Sequence, residues 1–457
     1  MTSITYLRSG TAMLWILLAT LLVSACGMQG QETAVFRVNL ERTGVFPADG
    51  PATLNELAWK FRTDGPIFSS PVVASGVVYI GSWDGSLYAI NSTTGQEVWR
   101  FNTGGEIFSS PMITDETVYI GSGDGHLYAI HAKTGQEKWR FETESEVFSS
   151  PAIVNGTAFV GSGDGRLYAV NIKTGQEVWR FDTANEVFSS PAITGGVVYI
   201  ASKDGHVYAL DGATGQEKWR FSTNAEIFSS PAIANEMVYI GSNDGRLYAL
   251  DARTGQEKWS FKTGSRVVSS PAVAGGMVYV GSGDGRLYAL DARTGRMKWK
   301  FKTNNSGFFS SGVFSSPAVV DGVVYVGSDD GQLYALDART GQEQWTFNTG
   351  GEVASSSAVA GGVVYVGSND NRLYALDAGT GQEKWSFNTE GEVVSSPTIA
   401  GRVVYVGSND GRLYALDVET GQEKWRFKTG GPVASSPAIA GRVVYFSSLD
   451  GYLYAVR

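Results

Sequence analysis

The chain has 457 residues and a formal net charge of −9, with 36 Lys and Arg against 45 Asp and Glu. No basic stripe of the kind phosphate binding needs is present, so nucleic acid is not an expected partner. A single cysteine excludes any internal disulfide, and 58 Gly with 13 Pro suit a fold of many tight turns.

Residues 1–25 read as a signal peptide. Arg8 supplies the charged start, an apolar run extends from Ala12 to Val23, and small residues precede Cys26. The run is too short for a comfortable membrane span. Val23-Ser24-Ala25-Cys26 resembles a bacterial lipobox, which implies cleavage before Cys26 and lipidation of its thiol. Two or more acyl chains on one residue suffice for stable anchoring. Gly27 rather than Asp after the cysteine resembles lipoproteins sent to an outer membrane. The expected location is that membrane's periplasmic face, or the outer face of the plasma membrane in a single-membrane organism. Residues 26–54 carry no repeat and read as a lipid-anchored tether and lead-in.

From 55 to 457 one phrase recurs, Thr-Gly-Gln-Glu-Lys-Trp with small variations. Its tryptophans are Trp59, Trp99, Trp139, Trp179, Trp219, Trp259, Trp299, Trp345, Trp385 and Trp425; eight of the nine intervals are 40 residues and one is 46. A period of about 40 residues built from short β-patterned blocks means units that bury their faces only against one another. The copy from Phe228 to Trp259 gives four short antiparallel strands separated by Gly, Asn or Asp. Asn243-Asp244-Gly245 is a hairpin signal, and the copy that replaces the glycine uses Asn371, which also tolerates a left-handed conformation. Asp251 before Ala-Arg-Thr-Gly predicts a side-chain-capped turn; Asn91 and Asn171 can replace it, whereas His131 predicts a looser turn. Six extra residues before Phe314 read as a lengthened loop. The last unit ends at Arg457 without its Trp-bearing strand, while an orphan copy, Leu57-Ala58-Trp59-Lys60-Phe61, stands at the start. Pairing the two closes a ring and hides sheet edges. The fold class is therefore all-β: a single, monomeric propeller of about ten four-stranded blades.

The run Ala249-Leu-Asp251-Ala-Arg-Thr254-Gly255-Gln-Glu-Lys-Trp259 resembles the tryptophan-docking motif of the quinoprotein-like β-propellers. Asn39-Leu40-Glu41-Arg42-Thr43-Gly44-Val45 is similar to the segment that opens many of them. That superfamily holds pyrroloquinoline-quinone alcohol dehydrogenases and the lipoprotein propeller of the outer-membrane β-barrel assembly machinery, and eight blades is its norm. The resemblance implies one of two functions. A dehydrogenase of this type uses a vicinal cysteine pair, a stacking tryptophan, and acidic and amide ligands for calcium. Here Cys26 stands alone, and apart from Trp15 and Trp83 every tryptophan belongs to the repeat. His126, His131 and His206 do not form a metal pattern, since His126 and His206 share one turn position two repeats apart. No cofactor is expected; pyrroloquinoline quinone and calcium belong to the enzyme alternative. The favoured reading is a non-catalytic envelope scaffold that binds proteins, with outer-membrane protein assembly as its setting. A carbohydrate-binding or sensory module is the second alternative.

Candidate binding residues are those that differ between copies. Before Ser-Ser-Pro stand Phe68, Phe108, Phe148, Phe188, Phe228 and Phe314, replaced elsewhere by Val268, Ala354, Val394 and Ala434. Two residues earlier are Glu106, Glu146, Glu186, Glu226, Glu352 and Glu392. These predict an aromatic arc over blades one to five with an acidic rim, able to grip an extended peptide or a partner loop. Space-filling between blades explains the same phenylalanines equally well. The residues after Asp-Gly, among them Arg166, Arg246, Arg286, Arg372 and Arg412, give an arginine-rich rim that could meet acidic glycans or lipid headgroups.

Overall fold

A computed structural model describes the backbone of Val45–Phe46 and residues 50–54, 56–304, 312–440 and 442–457. The signal segment, Cys26 and most of the loop insertion before Phe314 lie outside the described residues. Every regular element in the described residues is a β-strand, and these form ten sheets. Nine sheets each take four consecutive strands from one repeat. In blade five they are Ala232–Ala234, Met237–Gly241, Arg246–Asp251 and Glu257–Lys262, all antiparallel. The tenth is composite: Ala438–Ala440, Val443–Ser447 and Tyr452–Val456 come from the C-terminus, and Leu57–Arg62 pairs onto Tyr452–Val456, setting Trp59 opposite Ala455. Blade ten meets blade one through a cluster holding Trp59, Tyr445, Val78 and Tyr88. The ring is therefore single, ten-bladed and closed by the orphan first copy.

The two ends of the ring are built differently. At one end, the turn end, lie the Asp-Ala-x-Thr-Gly turns between third and fourth strands. Each docking tryptophan donates its indole N–H to a turn carbonyl of the next blade, as Trp99 does to Ala132 and Trp259 to Ala292, at 2.8–3.1 Å in all ten. A tyrosine of the second strand usually shares that carbonyl, as Tyr239 does at 2.9 Å. The turn glycine is required twice over: Gly255 has φ +68°, and a Cβ there would stand 2.4 Å from Trp219 Cδ2. Trp299 docks on Ala338 at 3.0 Å, so the six-residue insertion leaves the ring unbroken. Blade ten has no such turn of its own. There Pro51 supplies the carbonyl to Trp425 and Tyr405 at 3.1 and 2.9 Å, and Arg457 is tied to Glu56 by backbone bonds and an ion pair.

At the other end, the rim end, lie the Asp-Gly hairpins and the loops that lead into each inner strand. Asp284 shows why the hairpin aspartate recurs. Its carboxylate accepts the N–H of Arg286 at 3.1 Å, the hydroxyl of Tyr288 at 2.6 Å and the N–H of Gly264 at 2.7 Å. One charged acceptor thus satisfies three donors.

The first serine of Ser-Ser-Pro is a backbone clip: Ser69 Oγ donates to the Gly81 carbonyl at 2.7 Å and accepts the Gly81 N–H at 3.0 Å. The His131 turn is looser, as expected, but still capped: Nδ1 accepts the N–H groups of Lys133 and Thr134 at 3.2 and 3.3 Å. An imidazole nitrogen stands in for the carboxylate oxygen, at slightly longer range than the 3.1 and 2.9 Å of Asp251.

One strand falls outside the four-per-blade scheme. Val45–Phe46 pairs in parallel with Thr398–Ala400, the inner strand of blade nine, on the side facing the central channel.

Candidate functional site at the rim mouth

The residue before each Asp-Gly donates its N–H to the loop entering the inner strand of the same blade, as Gly123 does to Glu106 at 2.8 Å and Asp329 to Gly312 at 3.1 Å. Hairpin and loop therefore meet at the channel mouth, and the variable residues of both share one surface. The phenylalanines are half-buried there and touch in sequence around the ring. Phe68 packs on Trp83 with centroids 4.4 Å apart, Trp83 on Phe108 at 4.9 Å, Phe108 on Phe148 at 4.9 Å, and Phe148 on Phe188 at 6.1 Å. Lys203 Nζ then lies 5.0 Å from the Phe188 ring and 5.9 Å from Phe228, and pairs with Glu186 at 3.1 Å. Such contacts bring cation–π attraction and edge-to-face packing to a solvent-facing row.

Beyond blade five the character changes. Val268 replaces the phenylalanine of blade six, and Arg266 stands 5.3 Å from the ring of Phe314 on blade seven. Asp329 follows on the same blade. Burial pushes its carboxyl up, and the like charge of Glu352 pushes it further, to about 7, with Arg266 opposing. Asn369 donates to Glu352 at 3.3 Å and Asn409 to Glu392 at 3.1 Å. The mouth is thus aromatic over blades one to five and acidic and amide-lined over blades seven to nine.

Glu106, Glu146 and Glu226 are exposed on the rim, whereas Glu186 is drawn to Lys203. Among the described residues Phe314 makes no ring contact with the other five. Of the arginines after Asp-Gly, Arg166 is held by Glu144 and Asp182, and Arg412 by Glu390 and Asp410. His126 and His206 each face the aspartate of their own hairpin, at 3.3 and 3.2 Å. Among the described residues no three His, Cys, Asp or Glu side chains converge as a metal site.

Sequence reasoning passed over the position before Asp-Gly. It holds Trp83, Lys203, Asp329, Asn369 and Asn409, which cap the aromatic row and form much of the polar half. Its variability was the available signal. Trp83 also carries a buried indole N–H with no partner among the described residues, and the side-chain oxygens of Asn243 and Asn369 are in the same condition. Buried polar atoms are seldom left unpaired.

A family model described as outer membrane protein assembly factor BamB matches residues 51–150, 144–231, 224–351 and 329–457. The chain belongs to this family. No curated protein sequence matches it. Among solved structures, BamB from Moraxella catarrhalis is 22% identical over 75% of this chain and 94% of its own, with a TM-score of 0.49. The quinohemoprotein alcohol dehydrogenase ADHIIG from Pseudomonas putida HK5 is 15% identical, covers 100% of this chain and 83% of its own, and has a TM-score of 0.55. The corresponding enzyme from Comamonas testosteroni is 17% identical over 92% and 79%, also at 0.55. The likeness to these enzymes is one of fold. The present chain carries ten blades, and the differences between its copies in Phe, Glu and the residue before Asp-Gly lie together at the rim mouth.

Proposed function

We propose that the chain is a non-catalytic, lipid-anchored scaffold of the cell envelope that grips an extended segment of a partner protein across the rim mouth. The observation that carries this reading is the unbroken, half-exposed aromatic row Phe68–Trp83–Phe108–Phe148–Phe188. Aromatic side chains that remain accessible in a concave mouth are the usual anchors of protein interfaces. Glu352 and Glu392 on the opposite side favour a segment that also carries Lys or Arg. Membership in the outer membrane protein assembly factor family supports envelope protein assembly as the setting. The lipobox-like run Val23-Ser24-Ala25-Cys26 supports retention at a membrane surface.

Replacing Phe108, Phe148 and Phe188 together by Ala tests it. Capture of envelope partners by crosslinking should fall at least tenfold while the ring stays folded. Unchanged capture accompanied by a large loss of stability would return the phenylalanines to packing alone.

The dehydrogenase-like fold raises quinone catalysis as the second reading. The residues do not fit it: one cysteine cannot make a vicinal pair, and the nearest candidate for a stacking tryptophan, Trp83, is already packed by Phe68 and Phe108. Saturable quinone binding with calcium, together with dye reduction by alcohols or sugars, would reverse this choice.

A further inference from the structure

The lead-in strand has a direction. Val45 pairs with Ile399 and Phe46 with Ala400, in parallel. The inner strand they join starts from the rim end, where Asn409 N–H meets the Glu392 carbonyl, and finishes at the turn end, where Val418 N–H meets the carbonyl of Arg402. A strand parallel to it is entered from the rim and left toward the turns. Pro51, five residues after Phe46, is already at the turn end under Trp425 and Tyr405. Two separate contacts therefore give the same polarity.

We infer that the N-terminal chain enters the ring through the rim mouth, so that a lipidated Cys26 holds this mouth toward the membrane and the partner is a protein segment presented at the lipid surface. This rests on the anchoring reading of Cys26. Between Cys26 and Val45 lie residues 27–44, a tether of root-mean-square length on the order of 23 Å as a flexible coil and on the order of 60 Å at full extension. That is short enough to bias which end of the ring meets the bilayer. The two ends also differ in what they offer. At the turn end all ten indoles and their carbonyls are spent on one another. At the rim, buried donors and acceptors of Trp83, Asn243 and Asn369 have no partner among the described residues. The lead-in strand lies against blades eight and nine, across the ring from blades one to five. The aromatic arc stays open to a second chain while the first passes by.

The experiment has two arms on the full chain. In the first, Cys26 is replaced by Ser and a short bismaleimide is applied to Thr43→Cys paired with Ser396→Cys on the rim side, or with Arg402→Cys at the turn end. Crosslinking is expected for the rim pair at least fivefold above the turn pair; equal yields or the opposite preference would overturn the inferred threading. In the second, the lipidated protein carries one added cysteine with a fluorophore, at Glu106→Cys on the rim or Arg293→Cys at the turn end. It is bound to phosphatidylethanolamine–phosphatidylglycerol vesicles containing doxyl lipid. Quenching should be at least threefold greater at the rim. Stronger quenching at the turn end would sink the orientation even with the rim crosslink in hand. A rim crosslink with neither label quenched, and the protein in the aqueous fraction, would reject the anchor and with it the membrane-facing mouth, while leaving the threading intact.

Discussion

The turn end and the rim end of the ring are made by the same ten repeats, yet one is uniform and the other is not. At the turn end a tryptophan, a glycine and a carbonyl recur in every blade, and where the repeat lacks a turn Pro51 imitates one. At the rim the backbone is equally regular, but the side chains before Asp-Gly and before Ser-Ser-Pro run from Trp83 and Phe108 to Asp329 and Ala354. Packing that closes a ring must be satisfied at each joint. A mouth need only be satisfied where something binds it.

The largest effect should come from breaking the uniform end. Trp139→Ala and Trp259→Ala should each cost about 3–5 kcal/mol in urea unfolding, as buried aromatic truncations do. The two losses should agree to within about 1 kcal/mol; a wide spread would show that the joints are not equivalent after all.

A smaller effect separates the halves of the rim. Asp329 titrates near 7 in the ring but near an ordinary carboxylate value of about 3.9 when unfolded. The native state therefore keeps a proton that the unfolded chain has lost. The stability this group contributes is present below about pH 4 and disappears as the pH rises through 7. Asp329→Asn should accordingly be more stable than the parent at pH 8, by on the order of 1–3 kcal/mol, with the gap shrinking toward pH 5. Thermal melts at the two pH values decide it, and an equal gap at both would remove the carboxyl as the cause.

The smallest change belongs to the aromatic row. Phe148→Ala should lower stability by about 1 kcal/mol, the scale of aromatic pairs in partly exposed positions. A loss as large as that of a docking tryptophan would erase the distinction between the two ends.

The fold was legible because its signals repeat. Nine copies of the hairpin Asp-Gly, nine of the turn Thr-Gly and ten of the Trp beat each state the same local geometry, and the orphan copy at Trp59 states closure. The rim was half legible. Phe and Glu stood out by comparison between copies, but the residue before Asp-Gly looked like ordinary turn variation, because its role depends on a loop 17 residues earlier in the chain, as for Asn409 and Glu392. Pro51 and the pairing of Val45–Phe46 were hidden for another reason: the one substitutes for a missing turn of blade ten, the other joins blade nine on its channel side, and no periodicity points to a residue used once.

The composite blade also sets a timetable. In blade one, Thr103 bonds the Gly85 carbonyl across 18 residues; its counterpart in blade ten, Thr63 to Gly451, spans 388. Chain-closure entropy grows with the logarithm of that span and makes the last contact about 3 kcal/mol costlier than the first. A nascent chain can therefore stack blade upon blade as it emerges, while Leu57–Arg62 waits for its partner strand Tyr452–Val456. Until then both edges of the array are open to other strands, so the interval between folding of the first blade and closure of the last is when this protein is most exposed to mispairing.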